Sequence, residues 1–265
     1  MSVPVVFLGP EEAFRLSDLR TDLEHVSADM PTGAWLADRH GTPLAGSLGV
    51  LVDNVLGYSL NRDRPPGTWS VSGEISLEIV RPLDFADAAG PLHATTVGGS
   101  YYDDLGGVVA GTVTDARGDA VVICSQRGRW IPMAGGFGTE APPSPDVPDA
   151  TCVEDLLGAT PVTVDGGATL DLRAGPVLSN PLGNLHGGIS LCASDLVASA
   201  AVGSWATPWL TESLRIQFLR PVPAGSAVEY AAVVRHAGRT RAVVDVAATV
   251  ADRLCTLAHV TGRPA

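Results

Sequence analysis

The sequence contains no lysine: all 17 of its basic residues are arginine. That absence excludes a P-loop lysine, a Schiff-base or pyridoxal lysine and a kinase-type phosphate lysine. Positive charge is scarce overall, because 29 acidic residues leave a net charge of −12. Such a molecule repels nucleic acid and anionic membrane surfaces, so neither is expected as a partner. The four cysteines, Cys124, Cys152, Cys192 and Cys255, form no C-x-x-C pair and none has zinc-finger spacing to a histidine. They read as reduced, buried thiols of a cytoplasmic protein. The six histidines form no ligand-spaced set, so no metal is expected. No apolar run approaches the roughly 20 residues that span a bilayer. The first residues, MSVPVVFLGPEEAF, lack the basic region of an export signal. Charged residues are only 17% against 45% hydrophobic, the opposite of a disordered chain and enough for a sizeable core.

What is present is a duplication. A chain of 265 residues lies between one large domain and two smaller ones, on a prior of roughly 100–200 residues per domain. The runs LAGSLGVLVDNVLGYSL (44–60) and HGGISLCASDLVASAAV (186–202) share a glycine-containing start, an apolar body and a central Asp. Asp53 and Asp195 thereby stand 142 positions apart. Each run is followed by an alternating stretch ending in Arg-Pro, and Arg81 and Arg220 stand 139 apart. Two short strands joined by a turn then recur in each copy, with Cys124 and Cys255 in matching places. A period this long is that of a duplicated domain rather than a solenoid. The Gly- and Pro-rich run AGGFGTEAPPSPDVPDA reads as a linker. The expected division is residues 1–132, a linker at 133–150, and residues 151–265.

Each copy reads as a strand, a helix and an antiparallel meander. The two helical runs are apolar nearly all round, which marks buried helices. Ile75, Leu77 and Ile79, like Leu214, Ile216 and Phe218, alternate as strands with one buried face do. One buried helix followed by a meander is an α+β plan, with a curved sheet wrapped around the helix.

In the second copy Asn180, Gly183, His186, Gly187, Gly188 and Asp195 stand as N-x-x-G-x-x-H-G-G-x6-D. This pattern resembles the hot-dog-fold acyl-CoA thioesterases of the phenylacetyl-CoA and 4-hydroxybenzoyl-CoA type. The resemblance implies that H-G-G opens the central helix and that the acid lies two turns further along it. The first copy departs from the pattern: Asp38 stands for Asn180, Gly41 for Gly183, and Leu44, Ala45 and Gly46 for His186, Gly187 and Gly188. Two such copies would form a double hot-dog, with two antiparallel sheets each wrapped around a central helix and joined edge to edge. The pair would mimic the family's usual homodimer.

The resemblance also implies a site shared between the copies, glycine and histidine from one facing the carboxylate of the other. Asn180, His186 and Gly187 would then face Asp53, with Ser72 beside it, and Gly188 would help bind substrate. The reciprocal site would set Asp195 and Thr211 against Leu44 and Ala45, and is expected to be impaired. Thioester hydrolysis needs a donor for the developing oxyanion and a carboxylate as base or nucleophile. The first amides of a helix have no intrahelical partner and carry the positive end of its dipole, and a glycine there lets a carbonyl approach. A buried helix gives an Asp a setting that raises its pKa. The basic turn RHAGRTR, with Arg235, Arg239 and Arg241, suits coenzyme A phosphates; its counterpart in the first copy carries Asp103 and Asp104.

Plainer readings stand beside these. H-G-G alone also makes a tight turn into a packed helix. Asp53 as a hydrogen-bonding core residue, Ser72 and Thr211 as ordinary strand hydroxyls, and the arginine turn as a solvated charge cluster are alternatives. Arg81 and Arg220 read as structural. The leading expectation is a cytoplasmic thioesterase that hydrolyses an acyl- or aryl-CoA with no cofactor beyond the coenzyme A of its substrate, assembled as a homodimer of fused pairs. The alternative is a non-catalytic acyl-CoA binding or sensing protein; a hot-dog hydratase or dehydratase ranks below both.

Overall fold

The computed structural model describes residues 9–22, 25–85, 90–102, 105–133, 149–203 and 208–265. The first half runs α1 (Pro10–Ala13), β1 (Ser17–Thr21), β2 (Val26–Met30), α2 (Gly49–Arg62), β3 (Thr68–Ile79), β4 (Leu92–Tyr102), β5 (Gly106–Thr114) and β6 (Ala120–Pro132). The second runs α3 (Val153–Leu157), β7 (Val162–Val164), β8 (Gly167–Arg173), α4 (Gly187–Gly203), β9 (Trp209–Phe218), β10 (Ala227–Ala237), β11 (Ala242–Val250) and β12 (Arg253–Pro264). Each half thus places two strands, not the expected one, ahead of its central helix. The three-residue β7 has no alternation for a sequence pattern to catch.

The twelve strands form one antiparallel sheet in the order β1-β2-β4-β5-β6-β3-β9-β12-β11-β10-β8-β7. Read outward from the centre, both halves have the same order. They join edge to edge through β3 and β9, from Glu74 opposite Gln217 to Glu78 opposite Ser213. Ile75 and Leu77 face Ile216 and Leu214 across that seam and are fully buried, so the seam belongs to the core. Full pairing there also removes what would be an open edge in each half.

Helices α2 and α4 lie against the sheet and against each other. Small side chains along α4 (Gly, Ala, Ser and Cys) let strands and helix approach closely, and nearly every residue of it is buried. The closest approach is at the helix starts. A Cβ on Gly188 would stand 2.4 Å from the Val50 nitrogen, and the partners there are backbone atoms that cannot swing aside. No helix among the described residues is long and apolar enough to cross a membrane.

The strand registers correct one expected match. Ile75 faces Gln126 in the first half, and its counterpart Leu214 faces Val260 in the second. Gln126 therefore corresponds to Val260 and Cys124 to Ala258, because the later strands are offset by fewer residues than the helices. Cys124 and Cys255 do not match. Most of the expected linker (134–148), and Asp103 and Asp104, lie outside the described residues.

Candidate active site

Ahead of each central helix the chain makes the same turn. Asn180 Oδ1 accepts the Leu182 and Asn184 amides at 3.0 and 3.2 Å, and Asp38 Oδ1 accepts those of His40 and Thr42 at 2.9 and 2.8 Å. Gly183 and Gly41 close the two turns at φ of 73° and 82°, a left-handed conformation that favours glycine. Asn180 lines the pocket described below, but its oxygen is committed to the loop. Asp38 does the same in the half that lacks the histidine, so Asn180 Oδ1 holds the turn.

Past this turn, the start of α4 meets the carboxylate of α2. The Gly188 amide donates to Asp53 Oδ2 at 3.1 Å and to His186 Nδ1 at 3.0 Å, and His186 Nδ1 lies 3.3 Å from the same Oδ2. Ser72 Oγ donates to Asp53 Oδ1 at 2.9 Å. A bulge at Gly73, where the β3–β6 register skips one residue, turns Ser72 toward the helix. The Gly187 amide makes no hydrogen bond to any described residue. A Cβ on Gly187 would stand 2.5 Å from Asp53 Oδ2, so only glycine fits beside the carboxylate. Gly188, expected as a substrate-binding residue, is buried against α2 and donates its amide to Asp53 Oδ2.

Three residues here escaped the sequence reasoning. Gln126, on an inward position of β6, donates through Nε2 to Ser72 Oγ at 2.7 Å and to Asp53 Oδ1 at 3.3 Å. Its Oε1 is buried and has no hydrogen-bond partner among the described residues. A lone amide among inward-facing Val122, Cys124 and Gly128 was the available signal. Asn54, one residue beyond Asp53, brings Nδ2 to 3.4 Å from His186 Nε2. Glu11, on α1, brings Oε1 to 3.9 Å from the same nitrogen; nothing in the sequence points to it. A pocket of about 490 Å³ opens onto Asp53, Gln126, His186 and Gly187, with Phe218 and Leu185 in its walls.

The reciprocal arrangement is closed. Asp195 is fully buried; Thr211 Oγ1 donates to its Oδ1 at 2.6 Å and the Gly46 amide to its Oδ2 at 2.8 Å. Burial pushes its carboxyl up, against the hydrogen bonds of Thr211, Gly46 and Ala45, which favour the charge. Leu44 fills the place of His186, Ala45 that of Gly187, and Val260 that of Gln126. A cavity of about 210 Å³ beside Ala45 and Thr211 does not reach Asp195.

Residues 182–256 match the family described as the thioesterase superfamily. The match lies within the second copy, which is similar to that superfamily. Its double hot-dog fold is shared by the tesB protein of Mycobacterium avium subsp. paratuberculosis, which it matches over 96% of this chain and 98% of that one, with a TM-score of 0.64 and 10% identity. An acyl-ACP thioesterase from Bacteroides thetaiotaomicron matches over 91% of this chain and 98% of its own, with a TM-score of 0.58 and 13% identity. At identities this low the two structures speak for the fold. No curated protein matches the sequence.

This superfamily is one of thioester hydrolases, and the chain is one by class. Within the double hot-dog the basic turn falls away from the open site. Arg235 is paired to Asp245 at 2.7 Å. Arg239 and Arg241 follow on the exposed β10–β11 turn, next to Ala242, which faces Gly262, which in turn faces Thr211. The open pocket lies at the other end of β9, by Phe218, and seven residues of strand span roughly 23 Å. The arginine at the open pocket is Arg220, the one read as structural, exposed at the rim with Nη1 donating to the Leu254 carbonyl at 2.7 Å. Arg81, its counterpart, pairs with Asp119 at 2.7 Å.

Proposed function

We propose that the protein hydrolyses an acyl- or aryl-CoA thioester to the free acid and coenzyme A at a single site. The observation that carries this reading is the meeting of the Asp53 carboxylate with the glycine start of α4, at the floor of an open pocket. Ser72 and Gln126 hold Asp53 Oδ1. A water entering from the pocket gives one hydrogen to the Asp53 carboxylate and keeps a lone pair for the thioester carbonyl.

The reaction then proceeds in two steps. The water oxygen bonds to the carbonyl carbon as Asp53 takes its proton, and the carbonyl electrons move onto oxygen. That oxyanion lies at the positive end of α4, where the Gly187 amide is available to donate. Collapse re-forms the carbonyl, breaks the C–S bond and expels the thiolate of coenzyme A, which takes up the proton held by Asp53. His186 edges the pocket and is held by the Gly188 amide, placed to orient the thioester. The route draws on no cofactor. Arg220 offers the rim a fixed cation for a phosphate of coenzyme A.

Four free, buried cysteines and a coenzyme A substrate suit the cytoplasm. A homodimer of fused pairs is the assembly we expect, and light scattering tests it. The test of activity is release of free thiol from a panel of acyl-CoAs. Turnover supports hydrolysis; tight binding of every acyl-CoA without thiol release would make the protein a binding or sensing module instead.

A further inference from the structure

We propose that Glu11 sets the substrate class of this site, admitting thioesters of uncharged acyl groups and turning away those whose acyl group ends in a carboxylate. The inference rests on the hydrolase reading above and narrows it.

Glu11 comes from α1, far in sequence from the rest of the site, yet it is only 7% exposed and lines the same pocket as Asp53 and His186. Carboxylates are rarely buried this deeply unless they are paired. His186 lies between two of them, with Glu11 Oε1 at 3.9 Å from Nε2 and Asp53 Oδ2 at 3.3 Å from Nδ1. Tyr58, which also lines the pocket, feels the same charge: its phenol is pushed up to about 12, by burial first and by Glu11 second. Among the described residues of the pocket wall, the only arginine is Arg220, and it stands at the rim.

Among the described residues lining the pocket, two carboxylates therefore stand against one imidazole, with Arg220 at the rim. An acyl group ending in a carboxylate would give up its hydration there and meet like charge with no guanidinium to pair with. A methyl end loses nothing by entering. Like-charge juxtaposition of this kind costs enough to discriminate by roughly a hundredfold.

Hexanoyl-CoA and glutaryl-CoA have acyl groups of similar length and differ in terminal charge, so the ratio of their kcat/KM values reads the effect. We expect wild type to favour hexanoyl-CoA by about a hundredfold or more. Glu11→Gln keeps the shape and removes the charge, and should lower that ratio at least about tenfold, whereas Glu11→Asp should retain most of it. A wild type that accepts glutaryl-CoA within about tenfold of hexanoyl-CoA overturns the proposal, as does a folded Glu11→Gln with an unchanged ratio. If Glu11→Gln does not fold, the wild-type ratio decides by itself. Failure to release thiol from any acyl-CoA is a different result and overturns the hydrolase reading. In that event the ratio of calorimetric Kd values for the two thioesters takes the place of the kinetic ratio and is judged against the same limits.

Discussion

Gln126 and Val260 hold the same place in the two halves, the first opposite Ile75 on β3 and the second opposite Leu214 on β9. Around them the halves have diverged together. Where the amide stands, the carboxylate opens onto a pocket and is held by Ser72 and Gln126. Where the isopropyl group stands, the carboxylate is sealed and held by Thr211 and the Gly46 amide. Gln126→Val would copy the closed half into the open one. A hydrogen bond to a charged group contributes roughly 1.5–3 kcal/mol, so kcat should fall by about ten- to a hundredfold. Steady-state kinetics on a folded variant checks this; an unchanged kcat would remove Gln126 from the reaction.

The adjacent glycines of the H-G-G motif should fail in different ways. At Gly187 the new methyl would stand 2.5 Å from Asp53 Oδ2, a side-chain atom at the pocket floor. Gly187→Ala should remain folded and lose roughly 10²–10³ in kcat, as expected when an oxyanion donor is displaced. At Gly188 the methyl would meet the Val50 nitrogen at 2.4 Å, inside the crossing of the two helices. Overpacking of this kind costs about 1–3 kcal/mol or more, so Gly188→Ala should lower Tm by several degrees. Thermal melts and kinetics on both variants separate the two effects. The same melting loss in both would contradict the division.

Asp195 makes stability depend on pH in a definite direction. Burial raises its carboxyl above the ordinary 3.8, so the folded protein holds this proton more tightly than the unfolded chain does. Its contribution to stability is present in full below the unfolded value and is lost as pH rises through the folded one. Asp195→Asn cannot titrate. The stability of wild type relative to that variant should therefore shrink as pH is raised from about 4 upward, which urea unfolding at a series of pH values will show. A difference that grew with pH would contradict the burial argument.

How much of this was legible in the sequence depended on how local each signal is. The turn and helix from Asn180 to Asp195 occupy one short stretch, and their shape follows from residues that touch. The strands that join the halves carry alternation strong enough to be read, and Ser72 and Thr211 fall beside their carboxylates as the repeat implies. Gln126 was hidden because its partners depend on the register of β6, and the spacing between the copies changes between the helices and that strand. Glu11 reaches the pocket only because α1 packs against α2 and against residues 176–178, a contact with no counterpart in any pattern of neighbouring residues. The position of the arginine turn could not be read for a topological reason: its charges are plain in the sequence, but which end of the sheet the β10–β11 hairpin occupies is fixed by the whole strand order.

The central claim is that one carboxylate works and the other holds the fold. The measurement that tests it most directly is kcat/KM for one acyl-CoA in Asp53→Asn and Asp195→Asn, each first shown to be folded by circular dichroism. Asp53→Asn should lose about 10²–10⁴ of the activity, the usual cost of removing a general base. His186→Ala should resemble it. Asp195→Asn should retain most of the activity, because its carboxylate meets backbone and Thr211 rather than the pocket. If folded Asp195→Asn loses as much activity as Asp53→Asn, both halves turn over substrate and the one-site account is wrong.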